Sequence, residues 1–257
     1  MKRFEYFKLN FNMAKNETMI AMILAFIAPV IGSLGEKESI RSFLMGTDGP
    51  SLLQMIVGVA LLTIAGVLLF KGMMKIGYDK LFGKTAQIYS SLPISNEEVA
   101  ITKISVLTFN SYIVLSGFAV GLVMSNFFGN NEYVETFFNN VATLATSGVF
   151  NHVMVLPLGV LAILTTVFFV NGYIFCGFAN STMRPKSLPG KLAMTLVAML
   201  PLLPVAYLLI KTFIDANLFV EIESLYIVLL VIIGISLVLS VLVVLMSIYW
   251  LNKRYYI

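Results

Sequence analysis

Six runs of apolar residues, at 18–34, 52–74, 104–124, 153–180, 192–213 and 225–251, carry no Asp, Glu, Lys or Arg in their interiors, and nothing else in the chain constrains the fold as strongly. A helix needs about 20 predominantly apolar residues to cross roughly 30 Å of hydrocarbon. Five of the runs meet that length, and the first, at 17 residues, is short and is expected to borrow polar residues at its ends. Charged residues make up 12% of the 257 and hydrophobic residues 59%, whereas a soluble domain has roughly 25% charged residues. A water-soluble fold is excluded. Period-two alternation is absent and the runs are too long for barrel strands. The expected fold class is all-α: a polytopic membrane protein of six transmembrane helices, forming a single transmembrane domain over 1–257.

Positive charge sets the expected orientation, because Lys and Arg of short loops stay on the cytoplasmic side. Of the 17 Lys and Arg residues, 14 fall before the first run, around 71–103, after the fourth run or at the C-terminus, and three (Lys37, Arg41, Lys211) fall on the other side. Both termini are therefore expected in the cytoplasm. The net charge of +4 reflects that topology; a nucleic-acid footprint needs a folded basic surface, so no nucleic-acid partner is expected. In 1–15, Phe4, Phe7 and Phe11 recur at helical spacing while Lys2, Arg3, Lys8 and Asn12 fall elsewhere. An interfacial amphipathic helix fits that pattern, with a disordered basic tail as the alternative. The segment is too long and too aromatic for the charged leader of a signal peptide.

The segment 71–103 is the one long polar interruption that carries a helix start signal. Ser95 is placed to accept from the amide three residues on, and Glu98 to reach back to the amide of Ser95, a capping box. Pro93 disfavours helix in the residue before it. A short cytoplasmic helix is expected between spans two and three, within 75–103, where a soluble partner could grip the protein. On the opposite side, 125–152 lacks Lys and Arg, and Val134, Phe137, Phe138, Val141 and Leu144 keep helical spacing. A short amphipathic helix or a re-entrant hairpin is expected there, acting as a lid or as a structural cap.

Sites for chemistry are thin. One His, His152, and one Cys, Cys176, exclude a His cluster for a metal and an intrachain disulfide. No catalytic, cofactor-binding or metal-binding residue is expected. The absence of ionisable groups inside the runs counts against ion coupling, although broken helices with backbone ligands could still hold an ion. The stretch Gly77 to Thr85 resembles a phosphate-binding loop, but has five residues between its glycines instead of four and no α/β domain around it. Gly117 and Gly121 form a G-x-x-x-G that allows close helix approach, within the chain or across a dimer. Pro157, Pro201 and Pro204 should kink their helices. The 14 Met and 20 Phe residues suit either an adaptable channel wall or a lipid-facing surface.

The stretch Tyr78-Asp-Lys-Leu-Phe-Gly-Lys, followed by Tyr89-Ser-Ser-Leu-Pro-Ile-Ser-Asn-Glu-Glu-Val and Lys103, resembles the cytoplasmic loop of bacterial ABC-transporter permeases of the six-span exporter kind. In that family a Leu-Pro-x-Ser element leads into the region that docks on an ATPase, and Leu92, Pro93, Ile94 and Ser95 match it, with Glu97 and Glu98 following. Size and apolar interior are similar to those of permeases for amphipathic peptides, including phenol-soluble-modulin exporters. The resemblance implies a permease subunit of an ATP-driven exporter in the bacterial cytoplasmic membrane, active in peptide export or toxin secretion. It implies a second permease chain, membrane lipids around the pair, and ATP and Mg held by a partner ATPase subunit. An antimicrobial-peptide immunity permease and a non-ATP channel or carrier are the rival readings. A membrane enzyme would need clustered His, Asp or Glu at the surface.

The charge distribution makes a topological prediction. A membrane-impermeant thiol reagent applied outside should modify a cysteine placed at Asn130 and spare one placed at Lys84; the reverse pattern would overturn the both-ends-in topology.

Overall fold

Backbone N–H and C=O groups in hydrocarbon have no water to bond, so long apolar runs satisfy them as helices. The computed structural model describes residues 3–34, 50–79, 94–128, 150–180 and 222–255, and every one of them is helical except Ile94 and Ser95. Five long helices result: α1 (Arg3–Leu34), α2 (Pro50–Met74), α3 (Asn96–Phe128), α4 (Phe150–Asn180) and α5 (Ile222–Tyr255), with a π-helical turn, Lys75–Asp79, ending α2. All five are long and apolar enough to cross a membrane. The chain is an all-helical membrane protein. The run 192–213, most of 125–152 and the stretch 80–93 lie outside the described residues.

Residues 3–15, within the segment expected as an interfacial helix, form the first part of α1, which runs unbroken for 32 residues. No Gly or Pro separates Arg3 from Thr18, so nothing stops the helix. Its buried stripe is Tyr6, Asn10 and Ala14, continuing through Ala21, Ala25 and Ala28, whereas Phe4 of the expected aromatic stripe is 75% exposed. Where the short cytoplasmic helix is expected, a helix starts at Asn96 and continues as the 33-residue α3. No breaker lies between Glu98 and Ile104, so the capped turn and the span are one rod.

The described segments cluster into two compact units. One comprises Asn12–Met73 and Phe109–Ala142, hence the greater part of α1, nearly all of α2 and the C-terminal part of α3 from Phe109. A seam of small residues joins α1 to α2. Ala14, Ala21 and Ala28 stand seven residues apart on α1, and Gly72, Ala65 and Gly58 stand seven apart, in reverse order, on α2. A Cβ on Gly72 would lie 3.2 Å from the Ala14 Cβ, and one on Gly58 would lie 3.3 Å from the Ala28 carbonyl oxygen. Ala65 packs in one cluster with Ala21 and Ala25. The two helices are thus antiparallel, and the seven-residue period is that of a left-handed pair. α3 lies on the other side of this stripe and runs parallel to α1: Gly117 meets Met22, and one turn later Gly121 meets Phe26 and Pro29. The G-x-x-x-G contact is therefore within the chain.

The other unit comprises Met1–Phe11, Met74–Thr108 and Thr143–Ile257. α4 and α5 run parallel in it, since Thr166 pairs with Ser236 at 3.3 Å, Gly172 backs onto Val243 at 3.1 Å and Cys176 bonds Ser247. α5 turns Ile233, Ser236, Ser240, Val243, Ser247 and Leu251 inward and leaves Val238, Val241 and Leu245 exposed. That outward surface suits lipid.

Overpacking a tight seam costs about 1–3 kcal/mol. Ala65→Leu and Gly121→Val should each lower the unfolding midpoint of the purified protein in detergent, whereas Val238→Leu on the exposed face of α5 should leave it in place. Equal midpoints for all three would contradict the seam.

Candidate functional site

The ends of α2, α4 and α5 meet the start of α3 within one unit, and the polar contacts there differ from those elsewhere. Ser95 Oγ accepts from the Glu98 amide at 3.2 Å, and the Ser95 carbonyl accepts from the Val99 amide at 3.0 Å. This is an N-cap: one orphan donor of the first turn is satisfied by the hydroxyl, and the first helical bond closes behind it. Glu97 and Glu98 occupy the first turn, where carboxylates complement the positive end of the helix dipole. Asn96 donates to Asn252 Oδ1 at 2.7 Å, tying the start of α3 to the end of α5. Two residues earlier, Trp250 carries the Lys253 ammonium 5.4 Å from its ring centroid, and Tyr249 is exposed beside it. Trp, Tyr and Lys together mark a membrane–water boundary.

Lys103 lies seven residues, about two turns, beyond Asn96 in α3 and is only 1% exposed. Its Nζ donates to the Ile76 carbonyl oxygen within the π-helical turn. A π-turn displaces the regular i to i−4 ladder, and the last carbonyls of any helix lack internal donors. A cation there answers both needs and opposes the negative end of the α2 dipole. The turn is pressed against α4 as well, because a Cβ on Gly77 would come within 2.7 Å of the Phe178 ring. Met74, Ile76, Ile104, Phe175 and Phe178 bury the junction.

The sequence places Lys103 among the charges bordering a cytoplasmic loop, and charge alone gives no sign of its burial. Its side chain is buried in α3, and that of Glu17 is buried in α1, 3.9 Å from Lys71 of α2. A spacing signal exists. Ala100, Lys103, Leu107, Asn110, Val114, Gly117 and Gly121 alternate steps of three and four residues, so Lys103 occupies the same face as the G-x-x-x-G pair. The remaining polar side chains mostly bond their own helices: Asn10 to Tyr6, Thr108 to Ile104, Asn171 to Val167, Ser240 to Ser236 and Ser247 to Val243, all through carbonyl oxygens. Such groups are already satisfied. Three buried acceptors, Asn10 Oδ1, Thr18 Oγ1 and Asn110 Oδ1, have no partner among the described residues.

Of the residues singled out in the sequence, Leu92 and Pro93 lie outside the described residues, Ile94 is half-buried, Ser95 and Glu97 are exposed, and Glu98 is half-buried. His152 stands in the first turn of α4, its side chain outside the described residues. Cys176 is a buried free thiol. Gly77, the first glycine of the phosphate-loop lookalike, is locked in the π-turn against Phe178 instead of opening toward a ligand. Among the described residues no three His, Cys, Asp or Glu side chains gather as metal ligands. No protein-family model, no curated protein and no solved structure matches the chain.

Losing an N-cap costs about 0.5–2 kcal/mol, which is roughly 2- to 30-fold in local opening. Ser95→Ala should accelerate amide exchange at Glu98 by a factor in that range while the amides of the α4–α5 pair exchange as before. Unchanged protection at Glu98 would show that the hydroxyl does not cap.

Proposed function

We propose that this chain is the membrane-spanning permease subunit of an ATP-driven exporter of the ABC type, moving hydrophobic or amphipathic molecules, peptides foremost, across a bacterial cytoplasmic membrane. One observation carries the reading: the N-capped start of α3 stands directly behind the Leu92-Pro93-Ile94-Ser95 element on which the family resemblance rests. A cap makes that end a defined, rigid feature at the mouth of a charged connector, as a docking partner requires.

Helix directions support six spans. α4 and α5 are parallel, and between them the sequence holds the apolar run 192–213, long enough for a sixth span. The even count puts both termini on one side, in agreement with the 14 to three split of positive charge. The Gly77 to Thr85 stretch is one residue too long for a phosphate-binding loop, so in this reading ATP and Mg belong to an ATPase subunit bound at the 80–95 connector. α3 carries motion from that connector into the membrane, because it continues without interruption from Asn96 to Phe128. A second permease chain, identical or related, completes the pathway within the lipid. Export of toxic amphipathic peptides and self-protection against such peptides are the two uses this chemistry fits.

The Glu17–Lys71 pair favours one rival, an ion-coupled carrier. The two readings separate in inverted membrane vesicles holding the chain and a copurifying ATP-binding-cassette protein. Amphipathic peptide should accumulate on addition of ATP and still do so when ionophores collapse the ion gradients, and the purified chain alone should hydrolyse no ATP. Accumulation driven by an ion gradient without ATP would replace the permease reading with the carrier.

A further inference from the structure

The geometry points to Lys103 as a positioning residue that clamps together the two ends of the 80–93 connector. This rests on the permease reading for its purpose but not for its structure. The upstream end is the π-helical turn Lys75–Asp79, and the downstream end is the Ser95 cap of α3. Lys103 Nζ reaches from α3 to the Ile76 carbonyl oxygen of that turn, with Ile76 fully buried and Lys103 nearly so. A charge withdrawn from water is retained only with close compensation. Here the carbonyl end of α2 supplies one such acceptor, so moving one helix against the other pulls a buried cation away from the Ile76 carbonyl oxygen.

The neighbours extend the clamp. Gly77 leaves room for the Phe178 ring of α4, and Asn96 holds Asn252 of α5. Both connector ends are thereby tied to one another and to α4 and α5, so a push on the connector cannot be absorbed by sliding α2 along α3. It must displace the group together.

The test uses the full chain in lipid nanodiscs, with spin labels on cysteines at Asp79 and Glu97 and with Cys176 left in its buried site. The distance distribution between the labels should be single and narrow. Lys103→Met, which keeps the length of the side chain and removes the ammonium, should broaden it at least twofold. A distribution equally narrow in the variant would overturn the clamp, whatever the protein does. Where the ATPase copurifies, the ratio of peptide transported to ATP hydrolysed should fall several-fold in Lys103→Met at equal amounts of folded complex. A role in folding alone would lower both rates together, and an unchanged ratio with a broadened distance would confine the clamp to the structure and remove its part in coupling. Should no ATPase bind the wild-type chain, the permease reading fails and the label distances still decide the clamp.

Discussion

In lipid, an apolar side chain gains nothing by leaving solvent for a neighbouring helix, since the hydrocarbon outside is as apolar as the core. Helices therefore stay together where their backbones come close enough for dense van der Waals contact. In the unit built from α1, α2 and α3, that closeness depends on Ala14, Ala21 and Ala28 facing Gly72, Ala65 and Gly58, and on Gly117 and Gly121 facing Met22 and Phe26. α1 gives one side of its stripe to each partner. The larger apolar residues, among them Ile20, Ile23, Val59, Leu62 and Val120, point outward, where a soluble protein would put its polar groups.

The α4–α5 pair solves the same problem with hydroxyls. Ser236, Ser240 and Ser247 are nearly as small as alanine and return their hydrogen bonds to the helix or to Thr166. A serine seam adds little interhelical energy per bond, of the order of 1 kcal/mol or below in membranes. Its main contribution is short distance. The three-four spacing of Ile233, Ser236, Ser240, Val243, Ser247 and Leu251 then keeps the seam facing α4 along the whole helix.

Much of this was legible in the sequence, and the failures share one cause. Apolar run length correctly located the five described helices, and the Ser95 cap was readable because capping is local chemistry set by residues three apart. Runs drawn to begin where charge ends start at Thr18 and Ile104, whereas α1 and α3 start at Arg3 and Asn96 and bury Glu17 and Lys103 on the way. Phase carries that information. Stepping back from Gly117 by three and four residues lands on Asn110 and then Lys103, and stepping back from Ala21 by seven lands on Ala14, next to Glu17 in the contact with Gly72. The seven-residue pairing of Ala and Gly between α1 and α2 was equally present in the letters, but small residues barely register on a hydropathy profile. The partner of Lys103 was not legible at all, because a backbone carbonyl has no residue identity.

Burial of Lys103 and Glu17 changes what the low charge content means. A chain with few interior charges looks chemically silent, yet each of these two charges spans a helix pair: Lys103 reaches α2 from α3, and Glu17 faces Lys71 from α1. Apolar seams resist sliding weakly, because shifting one alanine past another restores similar contacts. A buried cation on a helix-terminal carbonyl has no equivalent position one turn away, where the carbonyls are already bonded within the helix. The small-residue seams hold the helices close, and the two buried charges set the register at which they are held. Sliding α2 along α3 therefore carries a cost at Lys103 that a seam of alanines would not impose.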